Sequence, residues 1–523
     1  MTRETATNVA AALLAAVLLQ AVLAMPSHPA DLTPERFVRP SWELPALLAV
    51  LAVFRGRAVR TFVVGLALAL VVLRCADLGS RMAFERAFNP LLDLHLLVSG
   101  WDLLSGSVGH GTALAMVAGV LGVLALLGLV LWQCLGRAVG LSPALRGGMA
   151  GLALAAVLVA SAVPRWQPLT VTLEVAEQVD RMGDGIAELA DFTHALRAAP
   201  DAAPRFEALA GRDVIIAFVE SYGRSFIDDP RYAATSAPRL AEVEARLGRA
   251  GWGVRSGWLA APTRGGQSWL SHATLLSGLL VDRQIRYDRL MASRHPSLNG
   301  LFRAAGWRTG AVMPAIASDW PEAAWYGYDV MLDAAGLGYA GRPFEWVTMP
   351  DQYTWTALDR ELRGGGPAMI EVALISSHAP WTPLPHVLPW ADIGDGAVFD
   401  GTRRTGGTPK EVWSDRDAIR RQYALSLDYA LDVLGQYVAT RGAGALFVVL
   451  GDHQPAPLLT GEGASPDVPV HVISDRPDLL SRLPAATFGP GLIPDPGRAT
   501  LPMQDFRTIL TSVFETPLHE EPS

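Results

Sequence analysis

The chain has 523 residues, of which 50% are hydrophobic and 18% charged, and its mean hydropathy is +0.25. These values exclude a disordered or fibrous protein, and the charged fraction lies well below the roughly 25% of ordinary soluble proteins. A net charge of -8 gives no global reason to expect nucleic-acid binding. Lys410 is the one lysine among 43 basic residues, a compositional bias without functional weight. The two cysteines, Cys75 and Cys134, fall in or beside apolar segments, so no disulfide framework holds the long C-terminal part.

Five apolar stretches precede residue 165, at about 8–25, 41–54, 61–78, 112–133 and 147–164. A membrane-spanning helix needs about 20 mostly apolar residues. The stretch 112–132 meets that length without a charge, whereas 41–54 is short. The first stretch has the charged start and apolar run of a signal peptide, but four more apolar segments follow, which favours a first spanning helix. Arg55, Arg57 and Arg60 form a basic loop between the second and third stretches. If all five span, Arg3, that loop, Arg137 and Arg146 share one side, which should be the cytoplasm. An odd number of crossings then delivers the remainder to the opposite face. Pro164, Trp166 and Pro168 read as an interfacial exit. Residues 171–200 follow as an amphipathic helix, a juxtamembrane connector. The expected organisation is a five-helix transmembrane domain over 1–164, a helical linker over 165–204 and one further domain over 205–523.

From residue 205 short β-branched runs alternate with amphipathic stretches. The runs at 213–219, 371–375, 445–450 and 468–473 predict strands, and 238–250, 297–305 and 415–440 predict helices. Continuous apolar strands alternating with helices indicate an α/β domain with a mostly parallel sheet covered on both faces. Glycine- and proline-rich stretches at 390–410 and 484–498 read as surface loops.

In such a sheet, ligands bind outside the carboxyl ends of the strands. One strand runs into Glu220-Ser221-Tyr222-Gly223, another into Ser376-Ser377-His378-Ala379-Pro380-Trp381, and a third into Gly451-Asp452-His453-Gln454-Pro455. One ionisable residue at a strand end is usually a cap, but three at one sheet edge point to a site. Glu220, Asp452 and His453 offer carboxylate oxygens and an imidazole, which suit Mn²⁺ or Zn²⁺. They lack the thiolates of a structural zinc site. A hydroxyl could complete the coordination sphere and become a nucleophile. Ser268, after Gly265-Gly266-Gln267 and before a helical pattern, is the candidate. Near a helix N-terminus it would face an anion such as phosphate; read in isolation, it would be only an N-cap.

Four motifs together resemble the alkaline phosphatase/sulfatase superfamily: Phe218-Val-Glu220-Ser-Tyr-Gly223, Gly266-Gln-Ser268, Ser376-Ser-His378-Ala-Pro-Trp381 and Gly451-Asp-His453. Within it, the chain resembles membrane-anchored lipoteichoic acid synthase-type phosphoglycerol transferases, which have five transmembrane helices and an extracytoplasmic sulfatase-like domain. The resemblance implies that Glu220, Asp452, His453 and Ser268 hold one divalent ion, Mn²⁺ first, with Zn²⁺ or Mg²⁺ as alternatives. It implies Ser268 as the catalytic nucleophile, in place of the family's threonine, and His378 as the substrate-site histidine. Trp320, Trp381 and Arg224 are candidates for substrate contact. The implied donor is a phospholipid and the acceptor a glycan or lipid-linked hydroxyl, in a bacterial plasma membrane with a cytoplasmic N-terminus. Met313 and Glu322 fall where the synthases carry a His and an Arg that hold glycerophosphate.

Other readings compete. Ala260-Ala261-Pro262-Thr263-Arg264 echoes the sulfatase Cys/Ser-x-Pro-x-Arg signature, but Ala260 cannot become formylglycine. Phosphoethanolamine transferases of the superfamily typically carry disulfides, absent here. A phosphodiesterase that uses water as acceptor and a non-catalytic envelope-binding protein complete the alternatives. His272, His295, His386 and His471 lack a supporting constellation and read as packed or loop histidines.

Overall fold

The computed structural model describes residues 3–164, 168–197, 204–401 and 406–516. The chain divides into two compact units, Met1–Met82 with Arg86–Glu188, and Ala83–Glu85 with Leu189–Ser523.

The first unit is helical: α1 (Arg3–Ala24), α2 (Pro34–Val38), α3 (Glu43–Val53), α4 (Arg57–Phe84), α5 (His95–Val108), α6 (His110–Ala138), α7 (Pro143–Ser161) and the start of α8 (Val171–Ala195). Helices apolar on all sides belong in a core or a membrane. Four of them, α1, α4, α6 and α7, are long and apolar enough to cross a membrane.

The expectation of five spanning helices is corrected at 41–54. Helix α3 has 11 residues and rises only about 16 Å at 1.5 Å per residue, roughly half of a 30 Å hydrocarbon core. Glu43 at its start and Arg55 beyond its end bound the apolar run on both sides. Short as it is, α3 still returns the chain along the helices. Its start lies beside the exit of α7, where Trp42 N–H donates to Leu169 O at 3.0 Å and Thr172 N–H to Glu43 Oε1 at 2.8 Å. Its far end shares a cavity with Ala12 of α1, Arg60 of α4, Leu135 of α6 and Met149 of α7. Arg55, Arg60 and Arg146 therefore collect at one end of this unit. Of the expected interfacial exit, Trp166 lies outside the described residues.

The second unit is built on a nine-stranded sheet with order β4-β3-β5-β1-β6-β7-β2-β8 and β9 beside β2. Its strands among the described residues are β1 (Asp213–Val219), β2 (Gly253–Ala260), β3 (Arg308–Val312), β4 (Val330–Leu332), β5 (Ala368–Leu374), β6 (Ala445–Gly451), β7 (Asp467–Ser474) and the two-residue β8 (Gly489–Pro490) and β9 (Leu501–Pro502). Strands β4, β3, β5, β1 and β6 run parallel, while β7 is antiparallel to both β6 and β2. Every residue of β1 and β6 is buried, which is why both read as continuous apolar runs.

Alternate side chains of β1 enter opposite cores. Ile215, Ala217 and Val219 pack with α10 (Ala233–Arg249, after the short α9, Arg224–Asp228) and the helix Arg416–Arg441. Val214, Ile216 and Phe218 pack with α11 (Ser268–Ser277) and the helices Leu298–Ala304 and Asp505–Val513. Val219 pairs with both Leu374 and Gly451, so β1, β5 and β6 end at one level. That alignment places the following residues side by side.

The reversal by α3 predicts opposite membrane faces for its two ends. In intact cells a membrane-impermeant maleimide should label His28→Cys and spare Gly56→Cys until the membrane is permeabilised. Labelling of both from one side would refute the reversal.

Candidate active site

Each strand end contributes by a locally determined geometry. After β1 the chain turns sharply at Ser221, whose φ is 56°. The turn is fixed from two sides: Ser221 N–H donates to Asp452 Oδ1 at 2.7 Å, and Tyr423 O–H donates to Ser221 O at 2.9 Å. Glu220 is thereby held at the sheet edge, with Ser221 O–H donating to its Oε1 at 2.7 Å. After β6, Asp452 N–H donates to Val219 O at 3.3 Å, and Asp452 Oδ1 accepts from His453 N–H at 2.7 Å. Two glycines permit this approach. A Cβ on Gly451 would strike the Tyr222 carbonyl, and one on Gly223 would strike Gln454.

His453 Nδ1 lies 3.0 Å from the Gln454 carbonyl. A carbonyl only accepts, so Nδ1 carries the hydrogen and Nε2 faces the site. Nε2 lies 3.6 Å from both Glu220 Oε1 and Asp452 Oδ2. Ligand atoms of Glu220, Asp452 and His453 all fall within 4.8 Å of one another, a grouping that can hold a metal ion.

Ser268 is the first residue of α11, and the backbone before it is shaped for a tight turn: φ is 73° at Gly265, 145° at Gly266 and 65° at Gln267. Gly265 N–H donates to Gln454 O at 2.8 Å, tying this turn to the end of β6. Ser268 Oγ consequently stands 3.2 Å from Glu220 Oε2 and 3.3 Å from His453 Nε2. The four residues expected to act together are thus together. The donors fit a divalent cation: two carboxylates, one imidazole nitrogen and one hydroxyl converge, without sulfur.

The ionisations of the three groups depend on one another. Burial works against ionised Glu220, but nearby His453 and His378 and the Ser221 hydrogen bond outweigh it and hold this carboxyl down at about 2. Burial and repulsion from Glu220 push Asp452 up to about 6. Burial lowers His453, yet Asp452 and Glu220 raise it above the ordinary imidazole value.

His378 is exposed at the end of β5 and close enough to Glu220 to affect its ionisation. Its Nδ1 donates to Ala379 O at 2.6 Å, leaving Nε2 as the proton-accepting nitrogen. The loop is anchored by Ser377 O–H donating to Glu220 O at 2.6 Å, and by Trp381 Nε1–H donating to Ser377 O at 2.9 Å. Trp381 is only 6% exposed and stacks on Trp413 with centroids 5.6 Å apart, so it braces the His378 loop. Arg224 is committed to Asp228 at 2.7 Å and Asp467 at 2.9 Å, over the Trp258 ring. Trp320 lies partly buried, 5.2 Å from Tyr326, in an aromatic cluster. Met313 is buried and Glu322 half-buried.

Sequence reasoning missed two glutamines. Gln454 links three parts of the site: its side-chain amide receives Ser225 N–H at 3.3 Å and donates to Ser225 Oγ at 3.0 Å, while its backbone carbonyl accepts from both Gly265 N–H and His453 Nδ1–H. Gln267, beside Ser268, is buried with both amide atoms unpartnered. Its place in Gly-Gln-Ser was the only available signal. Histidines without a supporting constellation do pack: His272 donates to buried Glu371 at 2.6 Å, and His471 is buried between Tyr222 and Ser256.

No family model and no curated protein matches the chain. Among solved structures it is similar to the lipoteichoic acid synthase LtaP from Listeria monocytogenes, at 12% identity over 63% of this chain and 81% of that one, with a TM-score of 0.38. It is similar to the Streptococcus pyogenes phosphoglycerol transferase GacH in complex with sn-glycerol-1-phosphate, at 11% identity over 64% and 86%, with a TM-score of 0.38. It is also similar to the C-terminal periplasmic domain of the phosphoethanolamine transferase EptC from Campylobacter jejuni, at 12% identity over 58% and 92%, with a TM-score of 0.37.

Protons on Asp452 and His453 compete with any cation for the same atoms. Mn²⁺ affinity, measured by calorimetry on the full chain in detergent, should fall as pH drops through about 6, by about tenfold per pH unit for each proton displaced. A pH-independent affinity between 7 and 5 would contradict the arrangement.

Proposed function

We propose that the chain is a metal-dependent phosphotransferase that moves the phosphoglycerol head group of a membrane phospholipid onto a glycan or lipid-linked hydroxyl, outside the plasma membrane. One observation carries this reading: Ser268 Oγ is the first side chain of α11 and lies within 3.3 Å of both Glu220 and His453. The four ordered motifs and their resemblance to the phosphoglycerol transferases supply the substrate class. Four helices are of spanning length, so placing the second unit outside the membrane requires the short α3 to cross as a fifth pass, as its course from the α7 exit to the arginine-lined end of the helical unit allows.

Glu220, Asp452, His453 and Ser268 would hold the cation. When bound, it would lower the hydroxyl's pKa and offset negative charge at the phosphoryl group, Mn²⁺ being the best match to the donors. The remaining chemistry belongs to side chains. Ser268 Oγ, its proton lost to solvent, attacks phosphorus, forming a Ser O–P bond as the P–O bond to diacylglycerol breaks. The N-terminal end of α11 offers amide hydrogens and the positive helix-dipole end to the phosphoryl oxygens. His378, protonated, gives its Nε2 proton to the departing alkoxide and then accepts one from the attacking hydroxyl. The acceptor oxygen displaces Ser268 Oγ, which leaves in the same ionised form in which it attacked.

A second head group, phosphoethanolamine, is favoured by Met313 and Glu322, because they stand where the resemblance places the residues that hold glycerophosphate. An acidic side chain there suits a cationic head group.

With purified full-length protein and Mn²⁺, diacylglycerol release from phosphatidylglycerol should fall by about 10³-fold or more in Ser268→Ala. Ser268→Thr should stay within about tenfold of wild type, since it keeps the hydroxyl. Unchanged turnover by Ser268→Ala would end the proposal. Faster release from phosphatidylethanolamine than from phosphatidylglycerol would select the second head group.

A further inference from the structure

We propose that the cavity at the arginine end of the helical unit binds the phosphate of an anionic phospholipid. This site shares no residue with the candidate active site and does not depend on it.

Arg55, Arg60 and Arg146 all line this cavity, and among the described residues that line it none is acidic. Arg146 is 6% exposed, and its Nε, Nη1 and Nη2 are all buried without a hydrogen-bond partner. Arg60 Nε is likewise buried and unpartnered, while its guanidinium lies 3.8 Å from the centroid of the Trp132 ring. Room for that guanidinium is provided by Gly136, where a Cβ would collide with Arg60 Nη1. Both arginines are therefore held by packing, with all three nitrogens of Arg146 and Nε of Arg60 unused.

A buried cation without a partner is costly, and the half-buried Arg60 and exposed Arg55 beside Arg146 add like charge to it. An anion would satisfy the donors, and the guanidinium fork matches phosphate oxygens in a paired geometry. The other walls choose the kind of phosphate. Leu48, Leu51, Phe54, Leu135 and Met149 present hydrocarbon beside the arginines. A free phosphate would leave that surface wet, whereas a lipid covers it with an acyl chain while its head group meets the arginines. Basic pockets between membrane helices commonly bind anionic head groups in this way.

The site is distinct in kind from a donor-lipid site. It contains no nucleophile and no carboxylate, so it holds a lipid without changing it. A resident anionic lipid would join α1, α3, α4, α6 and α7 at the end where all five supply lining residues.

The test uses the delipidated full chain in a neutral detergent, with thermal unfolding and native mass spectrometry as readouts. Phosphatidylglycerol should raise Tm and be retained, whereas phosphatidylcholine and inorganic phosphate should do neither. Arg146→Gln and Arg55→Gln should each weaken phosphatidylglycerol binding by about tenfold or more. Lipid-free Arg146→Gln should unfold no earlier than wild type, because it removes an uncompensated charge; a merely structural Arg146 would lower Tm. Should Arg146→Gln not fold, the exposed Arg55→Gln decides alone. Equal retention of phosphatidylglycerol by wild type and Arg55→Gln, equal stabilisation by phosphatidylcholine, or equal stabilisation by inorganic phosphate would overturn the proposal.

Discussion

Glu220 and Asp452 are forced together because β1 and β6 are hydrogen-bonded neighbours that end in register. Two buried carboxylates at that distance repel, and one is pushed toward its protonated form. The protein meets this partly with His453 and with donors from the backbone and Ser221. A divalent cation would resolve what remains. Such a cation would replace the repulsion between the two carboxylates by attraction to both.

Around that constraint the rest of the second unit serves as support. Strands β1 and β6 are fully buried, so their register cannot slip without moving apolar side chains from one core to the other. Gln454, Ser377 and Tyr423 then connect the strand ends to each other and to the turn before Ser268. A hydroxyl poised within hydrogen-bond reach of two ligand groups needs positioning of this kind, since small displacements of a reacting group are expensive in rate. In the helical unit a comparable imbalance occurs with opposite sign, as arginines converge without acidic partners.

Much of the site was legible in the sequence because buried parallel strands are written as uninterrupted apolar runs. The ends of 213–219 and 445–450 therefore delivered Glu220, Asp452 and His453 to one edge, and the observed strands agree within a residue or so. The run at 371–375 starts three residues late, because Glu371 interrupts the apolar pattern of β5. It can be buried there only because His272 and Tyr328 occupy its two oxygens. Strand β2 was not visible, since Gly253, Arg255 and Gly257 break its alternation. Nor could the antiparallel direction of β7 be read, because direction is set by pairing and not by composition. Composition located α3 and already showed its apolar run to be short. The supporting glutamines had no signal of their own: Gln267 and Gln454 matter through backbone and amide contacts that only the fold creates.

The central claim is that Ser268 becomes covalently linked to a head group during turnover. Tandem mass spectrometry of the acid-quenched full chain, after brief incubation with Mn²⁺ and phosphatidylglycerol or phosphatidylethanolamine, tests it most directly. The account predicts one phosphodiester adduct, localised to Ser268 and absent when the metal is chelated. Diacylglycerol released at full rate with Ser268 never modified, or an adduct localised to another residue, would contradict it.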